Sequence, residues 1–203
     1  MTEVAARDPV LARLIEQVGP LRYPPRSADG PFAALARAIV FQQLAGAAAM
    51  AILGRVTTTA GGALTPEGLA AATDEHLRAA GLSGNKLAAL RDLSTRTLAG
   101  EVNLAPSARD SDESVIENLV QVRGIGRWTA EMFMIFELRR PDVWPVDDLG
   151  VRQGYGLIWG LTPAPLPKQL APLGDPFRPY RSIVARYCWE AVALSRNADT
   201  SLR

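Results

Sequence analysis

Two glycines with a single residue between them, Gly124 and Gly126, separate two stretches of helical pattern. The stretch before them, 114–121 (SVIENLVQ), repeats apolar side chains at a helical spacing. The stretch after them, 127–138 (RWTAEMFMIFEL), is rich in good helix formers and contains neither Gly nor Pro. Because glycine allows a positive φ and the close approach of another backbone, the chain is predicted to turn sharply here. A helix would then begin directly after the glycines, where free amides and the helix dipole favour an anion.

A Gly-x-Gly turn is short and common, so by itself it is also compatible with a helix–helix turn that binds nothing. It does not fit the nucleotide-binding loop of a Rossmann fold, because a helix rather than a strand precedes the glycines. Arg123 and Arg127 flank the turn and can add positive charge to an anion site there. Two adjacent carboxylates, Asp147 and Asp148, follow about twenty residues on.

The composition restricts the kinds of site that the chain can carry. One cysteine and one histidine in 203 residues exclude an intrachain disulfide framework and an all-cysteine iron–sulfur cluster, and they argue against a histidine-based zinc site. No signal-peptide pattern and no membrane-spanning apolar run is present, so we expect a cytoplasmic protein. The formal net charge of +1 is not the broad basic footprint of many nucleic-acid-binding domains. Any contact with DNA must therefore be local, through backbone amides and a few arginines.

The remaining patterns predict an all-α chain. No stretch alternates apolar and polar residues in the way that indicates a strand, and the length allows one domain or two small subdomains. The segment 162–179 contains six prolines and is predicted to be an irregular, rigid connection. Longer helices are predicted at 8–18, 32–40, 45–58, 87–98, 114–121, 127–138, 149–159 and 180–195.

The full string around the glycines is more specific than the glycines alone. The run Gly124–Ala130 reads GIGRWTA, and Asp148 is followed by Val151 in an Asp-x-x-Val pattern. In these residues the chain resembles the helix-hairpin-helix DNA glycosylases, specifically the 3-methyladenine DNA glycosylase II family. Phe41 departs from the glycine that the family usually has there. Three further segments resemble the family, namely 38–44 (AIVFQQL), 81–86 (GLSGNK) and 179–182 (PYRS).

The resemblance implies an all-α helix-hairpin-helix glycosylase fold, with two helical subdomains flanking an active-site cleft. One subdomain would comprise approximately residues 32–110. The other would combine approximately 1–31 with 111–203 and would include the helix-hairpin-helix at 114–138. The N-terminal α/β domain of some relatives has no room in this chain, so the protein would be a short form consisting of the glycosylase core.

The same resemblance implies how the chain would hold DNA. Gln43, with Leu44 beside it, would enter the minor groove and fill the gap left by an extruded base. The residues that would contact the DNA backbone are Gly124, Ile125, Gly126, Arg127, Thr129, Gly84 and Lys86. Two alternatives stay open. Gln42 and Gln43 could simply cap helix ends, and the turn at 81–86 could consist of a C-cap glycine with a solvated Lys86.

The chemistry is implied in the same way. The match places the catalytic carboxylate at Asp148, and a helix N-terminus favours its anionic form. A nearby carboxylate stabilises the oxocarbenium-like state that forms when a glycosidic bond breaks. Trp128 and Trp189 stand where the family lines its base pocket with tryptophan, and Met132, one turn after Trp128, could pack against the base. The alternatives are that Asp147 and Asp148 only cap a helix and that the tryptophans only pack in a core.

Two positions bear on further chemistry. Related glycosylases that also cut the strand carry a lysine two residues after the second hairpin glycine, where it forms a Schiff base. That position is Trp128 here, so we predict no lyase activity. The resemblance also implies that the backbone carbonyls of Val120, Val122 and Ile125 could hold a sodium or potassium ion that bridges to phosphate. No cofactor is expected to be required, and no iron–sulfur cluster is expected.

The sequence therefore predicts a monofunctional glycosylase that excises 3-methyladenine and 7-methylguanine from duplex DNA in base excision repair. It would act as a monomer and associate with the bacterial nucleoid through DNA rather than with a membrane. Two other functions stay open. One is a helix-hairpin-helix glycosylase for deaminated or oxidised bases, because Met132 leaves the preference of the pocket undetermined. The other is a non-catalytic DNA-damage sensor, against which Asp148 argues, since a pure binder needs no carboxylate near the backbone it holds.

Overall fold

The computed structural model describes residues 2–201, and within them all regular structure is helical, with no β-strand. This confirms the predicted all-α class. None of the helices in the described part of the chain is long and apolar enough to cross a membrane. The helices are α1 (Thr2–Ala5), α2 (Pro9–Val18), α3 (Gly30–Phe41), α4 (Gly46–Thr59), α5 (Pro66–Ala71), α6 (Asp74–Ala79), α7 (Gly84–Leu98), α8 (Asp112–Leu119), α9 (Arg127–Phe136), α10 (Leu149–Trp159), α11 (Pro167–Leu173), a 3-10 helix (Asp175–Phe177) and α12 (Arg181–Ser201).

Six of these helices begin at a capping side chain. Asp8 accepts hydrogen bonds from the backbone N–H groups of Val10 and Leu11 and so starts α2, with Pro9 at the first helical position. Side-chain caps of the same kind start α5, α6, α7, α8 and α10, at Thr65, Thr73, Ser83, Ser111 and Asp148. Each cap contributes about 1 kcal/mol and fixes where its helix begins.

The proline-rich segment 162–179 is more regular than predicted, because it contains α11 and the 3-10 helix. The prediction of a wholly irregular connection was therefore wrong. Pro167 is the first residue of α11 and Pro176 lies in the first turn of the 3-10 helix. Proline is tolerated at such positions because a helix does not use the first N–H groups for its own hydrogen bonds.

The chain forms two compact units. The hairpin unit comprises Pro25–Leu138, and the carboxylate unit combines the residues up to Pro24 with those from Arg139 onward. These boundaries differ from the predicted ones near residues 31 and 110. In particular, the segment 111–138, which was expected to belong with the two ends of the chain, belongs with 25–110.

Contacts inside the hairpin unit explain this difference. Helix α7 packs against α3 and α5, and α9 packs against both α3 and α8. The Gln42 side chain, at the end of α3, donates from Nε2 to the Gly124 carbonyl oxygen at 2.9 Å. The backbone N–H of Arg123 donates to the Asp92 carboxylate of α7 at 2.7 Å. These bonds join the hairpin to helices that lie far from it in sequence.

In the carboxylate unit, α10 lies along α12, and both contact α2. A Cβ atom added to Gly154 of α10 would lie 2.0 Å from the carbonyl oxygen of Cys188 in α12, so the two helices approach closely at a glycine. The buried core around this crossing includes Leu11, Trp144, Val151, Tyr155, Leu170, Phe177, Val184 and Tyr187. The helix that Asp148 caps is thus packed directly against the helix that carries Trp189.

Candidate active site

The two hairpin glycines have different structural roles. Gly124 has a φ of +78°, and a Cβ atom there would lie 3.1 Å from the Cβ of Ala89. Gly126 precedes α9 with a φ of −93°, which any residue can adopt, and nothing lies within 4 Å of a Cβ atom added to it. The conformation of the chain therefore requires the first glycine. The second leaves open space at a helix N-terminus, which is the arrangement that an approaching anion needs.

Arg127 lies at the start of α9, but its charge is already balanced. Its guanidinium forms two hydrogen bonds with the Glu113 carboxylate, at 2.8 and 2.7 Å, and lies 3.4 Å from the Glu131 carboxylate. Both partners of the first pair are about half exposed, so the ion pair contributes little to stability and can exchange for another anion. Thr129, also predicted to contact DNA, is 7% exposed within α9.

Lys86 does not extend into solvent. Its Nζ donates to the carbonyl oxygen of Val40 at 2.7 Å, near the C-terminal end of α3, and burial lowers the pKa of the lysine. In this structure the Lys86 side chain bonds to a helix end, and its contact with a phosphate stays a prediction. Gly84 is the first residue of α7, after the Ser83 cap, so it begins a helix instead of ending one. The glycine with positive φ that follows α6 is Gly81, at +105°.

The turn between α3 and α4 carries the predicted wedge. Gln43 is exposed and has a φ of +56°, a left-handed conformation that is uncommon for residues other than glycine. Leu44, next to it, is 38% exposed. Phe41, where the family usually has glycine, is the last residue of α3 and packs under the Arg37 guanidinium at 4.2 Å. Because the Gln42 side chain bonds to the Gly124 carbonyl, the wedge turn is tied directly to the hairpin turn.

Trp128 and Met132 lie one turn apart on α9. The Trp128 side chain is 49% exposed, and Met132 is partly buried. Residues such as Phe133, Met134 and Ile135 form the buried face of the same helix. Core packing therefore does not explain Trp128, whereas Trp144 is buried and donates from its indole N–H to the Leu170 carbonyl, as expected for a core residue.

Asp148 lies at the N-terminus of α10 and is 8% exposed. Its Oδ1 accepts a hydrogen bond from the backbone N–H of Val151 at 2.7 Å and another from the indole N–H of Trp189 at 2.9 Å. Asp147 is exposed and does not cap the helix. The prediction that one of the two aspartates caps this helix is confirmed for Asp148. The bond from Trp189 was not predicted, and no sequence spacing would have indicated it.

Packing around this carboxylate is close. A Cβ atom on Gly150 would lie 2.7 Å from Cδ1 of Trp189 and 3.1 Å from Oδ1 of Asp148. Cys188, next to Trp189, is fully buried, and both burial and the nearby Asp148 charge raise the pKa of its thiol. The thiol therefore stays neutral.

The hairpin also offers main-chain oxygen atoms to a cation. Val120 occupies the C-cap of α8, where the last carbonyls of a helix lack partners within it. The carbonyl of Val122 accepts a hydrogen bond from the Ile125 N–H at 3.0 Å. Backbone carbonyls are suitable ligands for hard cations, so the donor set Val120, Val122 and Ile125 fits the predicted sodium or potassium ion in chemical type. The ion itself remains a proposal.

Comparisons with known proteins identify the family. The model of the family described as "HhH-GPD superfamily base excision DNA repair protein" matches residues 36–178. DNA-3-methyladenine glycosylase 1 of Schizosaccharomyces pombe is 37% identical over 188 residues, which cover 90% of this chain and 82% of the relative. The crystal structure of a DNA-3-methyladenine glycosidase from Bacillus halodurans matches with a TM-score of 0.85 and 38% identity, over 93% of this chain and 86% of that one. The Schizosaccharomyces pombe 3-methyladenine DNA glycosylase in complex with abasic DNA matches with a TM-score of 0.76 and 35% identity, over 93% of this chain and 95% of that one. The predicted helix-hairpin-helix glycosylase fold is confirmed, and the chain belongs to the HhH-GPD superfamily of base excision DNA repair proteins.

Proposed function

We propose that this protein is a monofunctional DNA glycosylase that removes alkylated purines, such as 3-methyladenine and 7-methylguanine, from duplex DNA in base excision repair. The observation that carries the proposal is the Asp148 carboxylate, held at the N-terminus of α10 by two hydrogen bonds to one oxygen. The names of the relatives, DNA-3-methyladenine glycosylases from yeasts and bacteria, support the same substrate class. The cytoplasmic location and the monomeric state stay predictions from the sequence.

The carboxylate supplies the charge that the chemical step needs. Breaking the bond between deoxyribose and a base develops positive charge on the sugar, as in glycoside hydrolysis generally. A fixed anion stabilises this charge and can orient the attacking water. Alkylation at N3 or N7 makes a purine cationic and therefore a good leaving group. One carboxylate at Asp148 is then sufficient, and no separate general acid is required for the base.

The hairpin would bind the phosphate backbone of the DNA strand. Phosphate oxygens are commonly bound by backbone N–H groups at helix N-termini, and the open space above Gly126 would let a phosphate approach the first amides of α9. A sodium or potassium ion on the carbonyls of Val120, Val122 and Ile125 would add positive charge there. The side chain of Arg127 could join by exchanging Glu113 for the phosphate.

Recognition of the base would rest on Trp128 and the wedge turn. The target base must leave the stack, which costs a few kcal/mol. Stacking on an aromatic ring offsets about 1–3 kcal/mol of this cost, and a cationic base is further favoured on an indole face. Trp128, which is about half exposed, would offer such a platform together with Met132 one turn away on α9. Gln43, held in a left-handed conformation between α3 and α4, would fill the space that the base leaves.

A panel of lesions tests the function directly. The protein is incubated with duplexes that carry 3-methyladenine, 7-methylguanine, hypoxanthine or 8-oxoguanine, and the released bases are quantified by chromatography. We expect release of the alkylated purines. Without added alkali the strand should stay intact, and borohydride should trap no covalent adduct, because Trp128 occupies the position of the Schiff-base lysine. Release of only hypoxanthine or 8-oxoguanine would change the substrate class. Tight binding without any release would indicate a damage sensor. A trapped adduct would refute the monofunctional mechanism.

Alanine substitutions at the two hairpin glycines should have separate effects, one on stability and the other on DNA binding. Gly124→Ala is expected to lower the free energy of unfolding by about 1–2 kcal/mol, because alanine disfavours a positive φ and its Cβ would crowd Ala89. Gly126→Ala should change stability by less than about 1 kcal/mol but weaken duplex binding about tenfold, roughly the loss of one charge-assisted hydrogen bond. Urea unfolding and fluorescence anisotropy measure the two quantities. Unchanged DNA affinity in the Gly126 variant would contradict the proposed phosphate contact.

A further inference from the structure

We propose that Trp189 is a positioning residue for the catalytic step: its indole N–H orients the Asp148 carboxylate. This inference rests on the proposed function and deepens it, because it assigns Trp189 to the carboxylate instead of to the stacking of the base. The indole Nε1 lies 2.9 Å from Oδ1 of Asp148, and the indole ring is only partly buried.

Two hydrogen-bond donors reach Asp148 from different helices. Val151, one turn along in α10, donates its backbone N–H to the same Oδ1 at 2.7 Å, as any N-cap arrangement requires. Trp189 donates from α12, and its bond is not needed to cap a helix. Two donors converging on one oxygen from two directions restrict rotation of the carboxylate about its side-chain bonds. A hydrogen bond to a charged acceptor is also stronger than one between neutral groups.

The fold is built to bring these groups together. Gly154 allows α12 to approach α10 so closely that a Cβ atom there would lie 2.0 Å from the Cys188 carbonyl oxygen. One residue further on, the indole of Trp189 lies over Gly150, where a Cβ atom would come within 3.0 Å of Nε1. Two glycines on α10 therefore make room for the backbone of α12 and for the indole that reaches the start of α10.

The neighbouring ionisable groups have the following environments. Cys188 of α12 lies near the carboxylate but stays neutral, because burial and the Asp148 charge raise the pKa of the thiol. Asp147 is exposed to solvent, and the Arg152 guanidinium donates to the Pro165 carbonyl. Asp8 of the α2 cap accepts from the indole N–H of Trp159, at the other end of α10. The indole N–H of Trp189 is a side-chain donor that α12 places on the Asp148 carboxylate.

The test compares two variants that lack the indole N–H, one of which keeps the shape of the ring. Single-turnover rates of 7-methylguanine release and duplex affinities are measured for the wild type, for Trp189→Phe and for Trp189→β-(3-benzothienyl)alanine, which keeps the ring shape and replaces the N–H with sulfur. The single-turnover rate should fall about tenfold in both variants as the carboxylate loses its orientation, roughly the loss of one hydrogen bond to a charged group. The duplex affinity should stay the same, because the indole N–H contacts the carboxylate and not the DNA.

Trp128→Phe is the matched control, since it alters a partly exposed tryptophan in the hairpin unit. It should weaken binding of the flipped base, whereas the two Trp189 variants should bind the duplex as the wild type does. Thermal unfolding checks that every variant is folded, and the isosteric variant covers the case in which phenylalanine leaves a void. An active wild type with an unchanged single-turnover rate in both Trp189 variants would overturn this inference alone. A wild type that releases no base would overturn the proposed function and this inference with it.

Discussion

Replacing Asp148 with asparagine is expected to reduce the rate of base release by about 10²–10⁴-fold, the range that a positioned charge or proton-transfer group contributes. Asparagine has the same shape, and its amide oxygen can still accept the hydrogen bonds that the Val151 and Trp189 N–H groups donate to Oδ1. It is also as good an N-cap as aspartate, so the free energy of unfolding should change by less than about 1 kcal/mol. The substitution therefore removes the charge and leaves the local structure in place.

Single-turnover release of 7-methylguanine, urea unfolding and duplex affinity are measured on the same preparations. DNA affinity should stay the same or rise slightly, because an anion no longer repels the phosphates. Asp147→Asn is the matched control: Asp147 is the neighbouring residue, is exposed and does not cap α10, so its variant should release base at the wild-type rate. Full activity in the Asp148 variant would refute the assignment of the catalytic carboxylate. Equal losses in both variants would show that net charge, and not the position of one carboxylate, controls the rate.

Local patterns in the sequence were sufficient for the features that depend on a few neighbouring residues. A glycine at the start of the hairpin was expected where a positive φ is needed, and Gly124 has one. Asp8 followed by Pro9 indicated the start of α2, and the structure shows that cap. The adjacent Asp147 and Asp148 indicated a cap for α10 without deciding between them, and the structure shows that Asp148 is the cap. In each case the deciding contacts join residues within one turn of each other, so the spacing in the chain determines them.

Side-chain partners distant in sequence could not be predicted in this way. Arg127 was expected to offer its charge to DNA, but Glu113 already pairs with it. Lys86 bonds to the Val40 carbonyl, a partner that the sequence did not indicate. A lysine or arginine on a helix has many possible partners, and the packing of helices selects one of them. The bond between Trp189 and Asp148 has the same origin, because it depends on how α12 crosses α10.

A substitution at the crossing of α10 and α12 should have the second large effect, on the free energy of unfolding. Gly154→Ala should lower the free energy of unfolding by about 2–4 kcal/mol, although alanine is the better helix former by about 1 kcal/mol. The added Cβ would lie 2.0 Å from the carbonyl oxygen of Cys188 and 2.4 Å from its carbonyl carbon, both of which are backbone atoms of α12. A flexible side chain could rotate away from such a contact, but a helix backbone can only move as a whole. Urea or thermal unfolding measures the loss.

Movement of α12 should also weaken catalysis, because Trp189 follows Cys188 directly and bonds to Asp148. Variants that remain folded should therefore release base more slowly at temperatures well below their unfolding transition. Gly54→Ala is the matched control, since Gly54 lies inside α4, is exposed and has nothing within 4 Å of an added Cβ atom. That variant should gain about 0.5–1 kcal/mol of stability from helix propensity alone. If the two alanine variants were equally stable relative to the wild type, the close approach of α10 and α12 would be refuted, and with it the packing that holds Trp189 over the start of α10.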